Sequence, residues 1–409
     1  MPTKNNNIDF IQLEDSFSAH NYHPLPVVLS KGKGVYVWDV EGKQYLDFLS
    51  GYSALNQGHC HPAIINTLIE QASTLTLTSR AFHNDQYGPY AKFITEYFGY
   101  DKILPMNTGA EAVETAIKLC RKWAYEVKGI LEGDAVIVVC SNNFHGRTTT
   151  IISFSSDEES KLNFGPLSTG FLSVPFNDIH SLENELANKN VAGFLVEPIQ
   201  GEAGVIVPSE GYLKNAKALC EKYNVLFIAD EIQTGLGRTG KRLACDYENV
   251  HPDVLILGKA LSGGTMPISA ILASNEIMLR IKPGQHGSTF GGNPLASAIA
   301  KTAIEVLDNE KMAENAFKMG QLFRADIEAL NSKYISEVRG KGLMNAIEIS
   351  HSNKNAAQEL CLELMKNGLL AKPTHGDKIR FTPPLIITQK QMEEAIEIIE
   401  NSLPCLDKL

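Results

Sequence analysis

The sequence predicts an α/β protein: a large domain built on a mainly parallel sheet, with a smaller α+β domain beside it. Three observations lead there. Short apolar runs recur at residues 135–140, 192–196, 225–229 and 254–257, the pattern of strands buried on both faces. Helical periodicity fills the intervals between them, and strand–helix alternation of this kind builds βαβ units. From about residue 300 the texture changes to long helices alternating with shorter strands.

Before the first buried run, residues 35–39 and 44–48 flank Glu41-Gly42 and read as a hairpin with a tight turn. Pro62 opens a helix whose apolar face is Ile64, Ile65, Leu68, Ile69 and Ala72. A second helix, over 111–128, buries Ala112, Val113, Ala116, Ile117 and Cys120 and turns Glu114, Lys118, Arg121 and Lys122 to water. Beyond residue 300 the spacing predicts helices over 300–307, 312–330, 356–367 and 389–401, with strands near 343–349 and 378–381. The domain division expected is a segment 1–50 packing with the small domain, a large domain 51–300, and the small domain 301–409.

The bulk properties narrow the function. With 409 residues, 44% hydrophobic and 21% charged, at mean hydropathy −0.11, the chain has the composition of an ordinary globular protein. A net charge of −10, with no basic stripe interleaved with aromatics, argues against a nucleic-acid partner. No segment approaches the roughly 18 consecutive apolar residues of a membrane span. Residues 1–15 are polar, with no apolar core or small-residue cleavage site. The seven cysteines are scattered without a C-x-x-C pair, as reduced thiols in a reducing compartment are, and a cytoplasmic address is expected.

The chemistry gathers at strand ends. The 254–257 run is followed by Gly258 and Lys259, and the 225–229 run ends on Asp230. Open α/β sheets place ligands at the carboxyl ends of their strands. An amine and a carboxylate there suit pyridoxal phosphate: the lysine forms a Schiff base with the aldehyde, and the aspartate keeps the pyridine nitrogen protonated. Asn107-Thr108-Gly109-Ala110-Glu111 places small residues at a helix N-terminus, a phosphate site or an ordinary cap. Gly287-Ser288-Thr289-Phe290-Gly291-Gly292 is a second loop suited to phosphate, or simply a turn. Phe144 can stack on a flat ring and Arg147 can fork onto a carboxylate, although alone each reads as core and surface charge. Glu197 and Glu202 sit in a Pro- and Gly-shaped loop beyond a strand, and Arg380 stands inside a strand pattern.

Two motifs look functional and are read otherwise. Residues 235–240 match G-x-G-x-x-G, but they begin late after the strand and open no amphipathic helix. His59-Cys60-His61 cannot converge on one metal without strain, so a packed turn before Pro62 is expected and no metal site.

Together these stretches resemble the class III pyridoxal-phosphate aminotransferases, of fold type I, and most closely the ornithine δ-aminotransferase branch. The carrying segments are Asn21-Tyr22-His23-Pro24, residues 51–59, 107–111, 197–204, Ala229-Asp230-Glu231-Ile232-Gln233-Thr234-Gly235, 257–264 and 286–294. The resemblance implies that Lys259 carries the cofactor and shuttles the proton, with Asp230 on the pyridinium nitrogen. It implies that Phe144 stacks on the ring, Gln233 reaches the ring hydroxyl, and Gly109 and Ala110 bind the phosphate. His145 and Ile232 complete the cofactor shell; His145 is a departure, since close ornithine relatives often carry a different aromatic there. Ser288 and Thr289 would come from the partner subunit of a homodimer with a shared site.

For substrate, the resemblance implies L-ornithine and 2-oxoglutarate, held by Tyr22, Tyr52, Arg147, Glu197, Glu202 and Arg380. Charge makes this sensible. Glutamate brings two carboxylates and ornithine one, so two free arginines would repel the second ammonium of ornithine. Masking Arg380 with Glu202 leaves Arg147 for the ornithine α-carboxylate. Tyr22 and Tyr52 would hold the α-amine away and present the δ-amine. The products would be glutamate and glutamate 5-semialdehyde, which cyclises to pyrroline-5-carboxylate. Transaminases of N-acetylornithine, 4-aminobutyrate or lysine remain the nearest alternative, and the two tyrosines weigh against them. A racemase, an aminomutase or a cofactor-sensing regulator stands further off.

Overall fold

The computed structural model describes residues 7–409. Seven strands form its largest sheet: β1 (Lys102–Met106), β2 (Val136–Cys140), β3 (Phe171–Val174), β4 (Val191–Val196), β5 (Leu226–Asp230), β6 (Val254–Leu257) and β7 (Ser269–Ala273). Their spatial order is β1-β7-β6-β5-β4-β2-β3. Neighbours from β3 to β6 pair in parallel. β7 runs antiparallel to both β6 and β1. Sequence reading missed β1, β3 and β7. β1 carries Pro105 and lies at a sheet edge, where a missing N–H is tolerated.

Strand alternation distributes the core to two faces. Ile137, Val139, Ile228 and Ile256 pack beneath the helix α1 (Gly109–Trp123). Val138, Phe194, Val196 and Phe227 pack on the other face against α2 (Tyr212–Lys222) through Leu213 and Ala216. Thus β4 and β5 are buried throughout, as uninterrupted apolar runs require. α1 starts two residues before the expected 111, because Thr108 caps it: Glu111 N donates to Thr108 Oγ1 at 3.3 Å, and Thr108 N donates to Glu111 Oε2 at 2.8 Å. It also ends early, at Trp123, where Ala124–Lys128 widen into a π-helical turn closed by Gly129 at φ +80°.

The helix opened by Pro62 spans Pro62–Ala72, but its apolar face is only half covered. Ile64 is buried, whereas Ile69 is 55% exposed and Ala72 is exposed; Gln71 is buried in their place. The reason is that this helix packs through Ile64 and Thr67 onto α3 (Pro294–Asn309) and the adjoining core, and leaves the Ile69 side uncovered. α3 begins earlier than residue 300 because Asn293 caps it and Pro294 sits in its first turn.

The C-terminal part holds a four-stranded antiparallel sheet that includes Ile335–Lys341, Met344–Ile349 and Lys378–Phe381, with α4 (Met312–Ala329) lying on it. The hairpin Tyr36–Asp39 with Gln44–Asp47 is joined by Leu369–Leu370 as a parallel strand. His59 pairs with Asp47 at 2.7 Å and His61 with Glu310 at 2.9 Å, so the two imidazoles face different partners across an exposed Cys60. No cysteine among the described residues is paired.

Gly320 of α4 lies against Gly342, where a Cβ would collide with the Gly342 carbonyl. Gly320→Ala should therefore lower stability by about 3 kcal/mol, since both contacts are backbone and neither can swing away. Thermal unfolding checks this, and an unchanged midpoint would show that the helix slides freely.

Candidate active site

The site is assembled by register. Asp230, the last residue of β5, pairs in parallel with Ile256 of β6, so the chain leaving β6 brings Lys259 to the same sheet edge. Lys259 sits at φ +45° at the start of a 3₁₀ turn, in the left-handed region that non-glycine residues avoid. Glu197 follows β4 directly, and Phe144 and His145 follow β2. The N-terminus of α1 adds Gly109 and Ala110, whose N–H groups, in the first helical turn, lack intrahelical acceptors. Asp230, Lys259, Glu197, Phe144, His145, Gly109 and Ala110 line one cavity together with Glu202, Ile232 and Gln233. Gly146, Ile199 and Thr234 line it as well, and sequence reasoning passed over them; their position just past strand ends was the available signal.

Burial sets the charges. Asp230 Oδ2 lies 2.7 Å from His145 Nδ1, and its Oδ1 accepts from Ile232 N at 3.1 Å. Burial opposes protonation of His145, but the Asp230 carboxylate outweighs it and raises its pKa. His145 Nε2 is buried and has no hydrogen-bond partner among the described residues. Burial pushes Glu197 up to about 7, with Asp230 and Glu202 adding to the push and His145 opposing it. Its Oε2 accepts from Phe144 N at 2.9 Å. Burial likewise pushes the Lys259 amine down to about 8, aided by Arg380 and opposed by Glu202, Asp230 and Glu197. Brought that close to neutrality, the amine sheds its proton far more readily than an ordinary lysine, which suits nucleophilic and proton-transfer work.

Arg380, 2% exposed on its strand, meets Glu202 with Nη1 to Oε1 at 2.7 Å. Burial would raise Glu202, but Arg380 and Lys259 hold it down at about 2. The Gln233 amide spans the pair, donating to Glu202 Oε1 at 3.1 Å and accepting from Arg380 Nη1 at 3.3 Å. The Arg380 guanidinium also stands 5.2 Å from the centre of the Tyr52 ring. Tyr22 is 66% exposed, yet close enough to add to the burial-driven rise in the Tyr52 pKa. Arg147 is exposed, 5.6 Å from the Phe144 ring centre, and lines an adjoining cleft that shares Phe144, His145, Gly146 and Glu202 with the cavity. Ser288 and Thr289 do not line this cavity. Ser288 Oγ accepts from Asn107 Nδ2 at 3.0 Å behind the α1 loop, and Thr289 is exposed.

The residues fit pyridoxal phosphate on their own terms. The Lys259 amine has no hydrogen-bond or ion-pair partner among the described residues. Phe144, 38% exposed, presents a ring to the cavity. Gly109 and Gly146 leave it open: a Cβ on Gly109 would come within 3.0 Å of Ile232, and one on Gly146 within 3.0 Å of Ala110 and Ile151. A helix N-terminus beside them suits a phosphate.

A family model described as Aminotransferase class-III matches residues 17–403. The chain belongs to the class III aminotransferase family. Among curated members it is 59% identical over 390 residues to the mitochondrial ornithine aminotransferase of Drosophila melanogaster, covering 95% of this chain and 90% of that one. Among solved class III folds it is similar to the ornithine aminotransferase of Toxoplasma gondii, at TM-score 0.97 and 49% identity over 99% of this chain and 96% of that one. That structure shows partial occupancy of PLP at its active site. It is also similar to an acetylornithine aminotransferase from Elizabethkingia anophelis, at TM-score 0.90 and 57% identity over 98% of this chain and 99% of that one.

Glu197 offers a test of the electrostatics independent of turnover. A carboxyl whose folded pKa is raised binds more protons folded than unfolded, so stability falls as pH rises from about 4.5 to about 7. Glu197→Gln should remove that fall, leaving the variant relatively more stable at pH 7 by up to roughly 3 kcal/mol. Thermal unfolding of the cofactor-free proteins across this range checks it; parallel pH profiles would place the Glu197 pKa near its ordinary value.

Proposed function

We propose that the chain is a pyridoxal-phosphate-dependent aminotransferase that moves the δ-amino group of L-ornithine to 2-oxoglutarate. The observation that carries this reading is the Glu202–Arg380 pair beside Tyr52, with Glu202 lining the cavity that holds Lys259. The cofactor, bound there, supplies the carbonyl that takes up the amino group and the ring that accepts electrons. Lys259 holds it and moves the proton at the reacting carbon. Asp230, fixed by His145 and Ile232 N, holds the ring nitrogen; Phe144 stacks, Gln233 faces the ring hydroxyl, and Gly109 and Ala110 take the phosphate.

With Arg380 masked, Arg147 is the cation left for the ornithine α-carboxylate, and Tyr22 and Tyr52 hold the α-amine. A dicarboxylate displaces Glu202 and uses both arginines. Ser288 and Thr289 complete the phosphate site of a second copy in a homodimer, which accounts for their lying outside their own cavity. The domain assignment is 51–300 for the cofactor-binding part and 1–50 with 301–409 for the smaller one. It is supported by the strand pairing at Leu369 and by Lys372 Nζ donating to His23 O at 2.8 Å. No helix among the described residues is long and apolar enough to cross a membrane. We place the enzyme in the cytoplasm on its unpaired cysteines; the Drosophila relative is named mitochondrial.

The acetylornithine reading is favoured by the Elizabethkingia neighbour, and substrate chemistry separates the two. Mixed with L-ornithine, the yellow holoenzyme should bleach and yield trappable pyrroline-5-carboxylate, while N-acetyl-L-ornithine leaves it yellow. Preference for the acetylated compound would overturn the substrate and keep the family. Arg380→Ala tests the switch separately. It should raise KM in the glutamate half-reaction by roughly 100-fold, the loss of a charged hydrogen-bonded pair, and disturb the ornithine half-reaction far less. Equal damage to both would refute it.

A further inference from the structure

The glycine-rich stretch 235–240 carries the bulkiest fully buried side chain among the described residues, Arg238. Its guanidinium makes no direct ion pair among the described residues; the Asp47 carboxylate acts on it through space and only partly offsets its burial. Nε and Nη2 donate to Asn56 Oδ1 at 3.2 and 2.7 Å, and Nη1 donates to the carbonyls of Leu343 at 2.9 Å and Pro383 at 2.6 Å. Burial pushes its pKa down to about 9, so it stays charged at neutral pH.

Asn56 and Pro383 belong to the two segments that carry substrate-facing residues, and Leu343 to the strand beside one of them. Pro383 follows Arg380 by three residues, and Leu343 enters the strand with which Arg380 pairs. Asn56 closes the turn that presents Tyr52. In that turn Ser50, Gly51, Tyr52 and Ser53 stand at φ 50°, 55°, 59° and 68°, a left-handed path that L-residues avoid. Such a path persists only where its surroundings over-determine it. Asp47 Oδ1 accepts from Ser50 N at 2.8 Å at its start, and Asn56 ties its end: Nδ2 donates to Leu236 O at 2.8 Å and its carbonyl accepts from Leu385 N at 2.8 Å.

We propose that Arg238 is a positioning residue for substrate recognition, its fork locking the Tyr52 turn and the Arg380 strand into one fixed relation. The inference rests on the roles given above to Tyr52 and Arg380. A fork is needed for this: four bonds diverge to three chain segments, and an ammonium on a flexible stem cannot reproduce that geometry.

The test compares Arg238→Lys and Asn56→Ala holoenzymes with wild type, after cofactor content and thermal midpoint are measured. Glutarate, a dicarboxylate without an amine, is titrated by calorimetry, and the glutamate and ornithine half-reactions are run separately. Both variants should load cofactor. Kd for glutarate and KM for glutamate should rise roughly tenfold with kcat changed less, as expected when a binding group is misplaced rather than removed. Ornithine should lose δ-selectivity, giving measurable α-amine transfer. Wild-type glutarate affinity and selectivity in both variants overturns the proposal. So does a uniform loss of cofactor content and both half-reactions, which marks a merely structural arginine. If Arg238→Lys does not fold, Asn56→Ala decides, because it removes two of the four bonds and leaves the charge. Should the wild type ignore ornithine, the substrate reading fails, and the glutarate and glutamate comparison still decides the role of Arg238.

Discussion

The parallel register of β5 against β6 is the constraint on which the site depends. Asp230 is matched to Ile256, and the chain reaches Lys259 three residues later with Gly258 extended between the strand and the 3₁₀ turn. A one-residue slip would send every side chain of β5 to the opposite face. Register is held because both strands are buried throughout, with Ile228 and Ile256 on the α1 side and Phe227 and Ala229 on the α2 side. The core is thus what aims the carboxylate and the amine. No local motif around either residue could do so.

Placing charges at a buried sheet edge forces them to pair. A desolvated ion without a partner costs several kcal/mol, so each group either finds a counter-charge or shifts its pKa. Asp230 takes His145, and Arg380 takes Glu202. Glu197 and Lys259, with no ion-pair partner among the described residues, shift instead, one up and the other down. Glu231, next to Asp230 and fully buried, is also pushed up by burial, but its carboxylate accepts from Ala244 N at 3.1 Å and Cys245 N at 2.8 Å, which oppose the rise and cap the 3₁₀ turn there. Adjacent carboxylates in one sequence stretch therefore do different work because strand alternation points them to different neighbours.

What the sequence made legible follows the same division. Runs such as Val254–Leu257 announce buried strands by themselves, and helix faces such as that of α1 show in their spacing, so fold class and the Asp230–Lys259 edge could be read directly. β7, Ser269–Ala273, was passed over: its five residues are a short run begun by a serine, and the antiparallel pairing with β6 and β1 that makes it a strand is a tertiary choice. The exposed Ile69 was misplaced for a similar reason: periodicity marks an apolar face but not whether one chain covers it. Arg238 was hidden by its motif. A glycine-rich loop suggests a ligand, whereas here it packs on the protein itself: a Cβ on Gly237 would stand 3.1 Å from the Leu385 side chain, and Arg238, between Gly237 and Gly240, is fully buried.

The proposed substrate switch conserves charge pairing. Glu202 already holds Arg380 in a buried ion pair, and a substrate carboxylate that displaces it leaves Arg380 paired again. Only Glu202 must find water, and it is the more exposed partner: its side chain is 23% exposed against 3% for Arg380. The Gln233 amide touches both, with a donor and an acceptor to offer whichever carboxylate is present. The buried cation never stands alone, and the large penalty for an unpaired guanidinium is avoided at each step. This requires Arg380 itself to stay still while its partner changes. A strand tied by carbonyl bonds to a neighbouring buried arginine meets that requirement; a flexible loop would not.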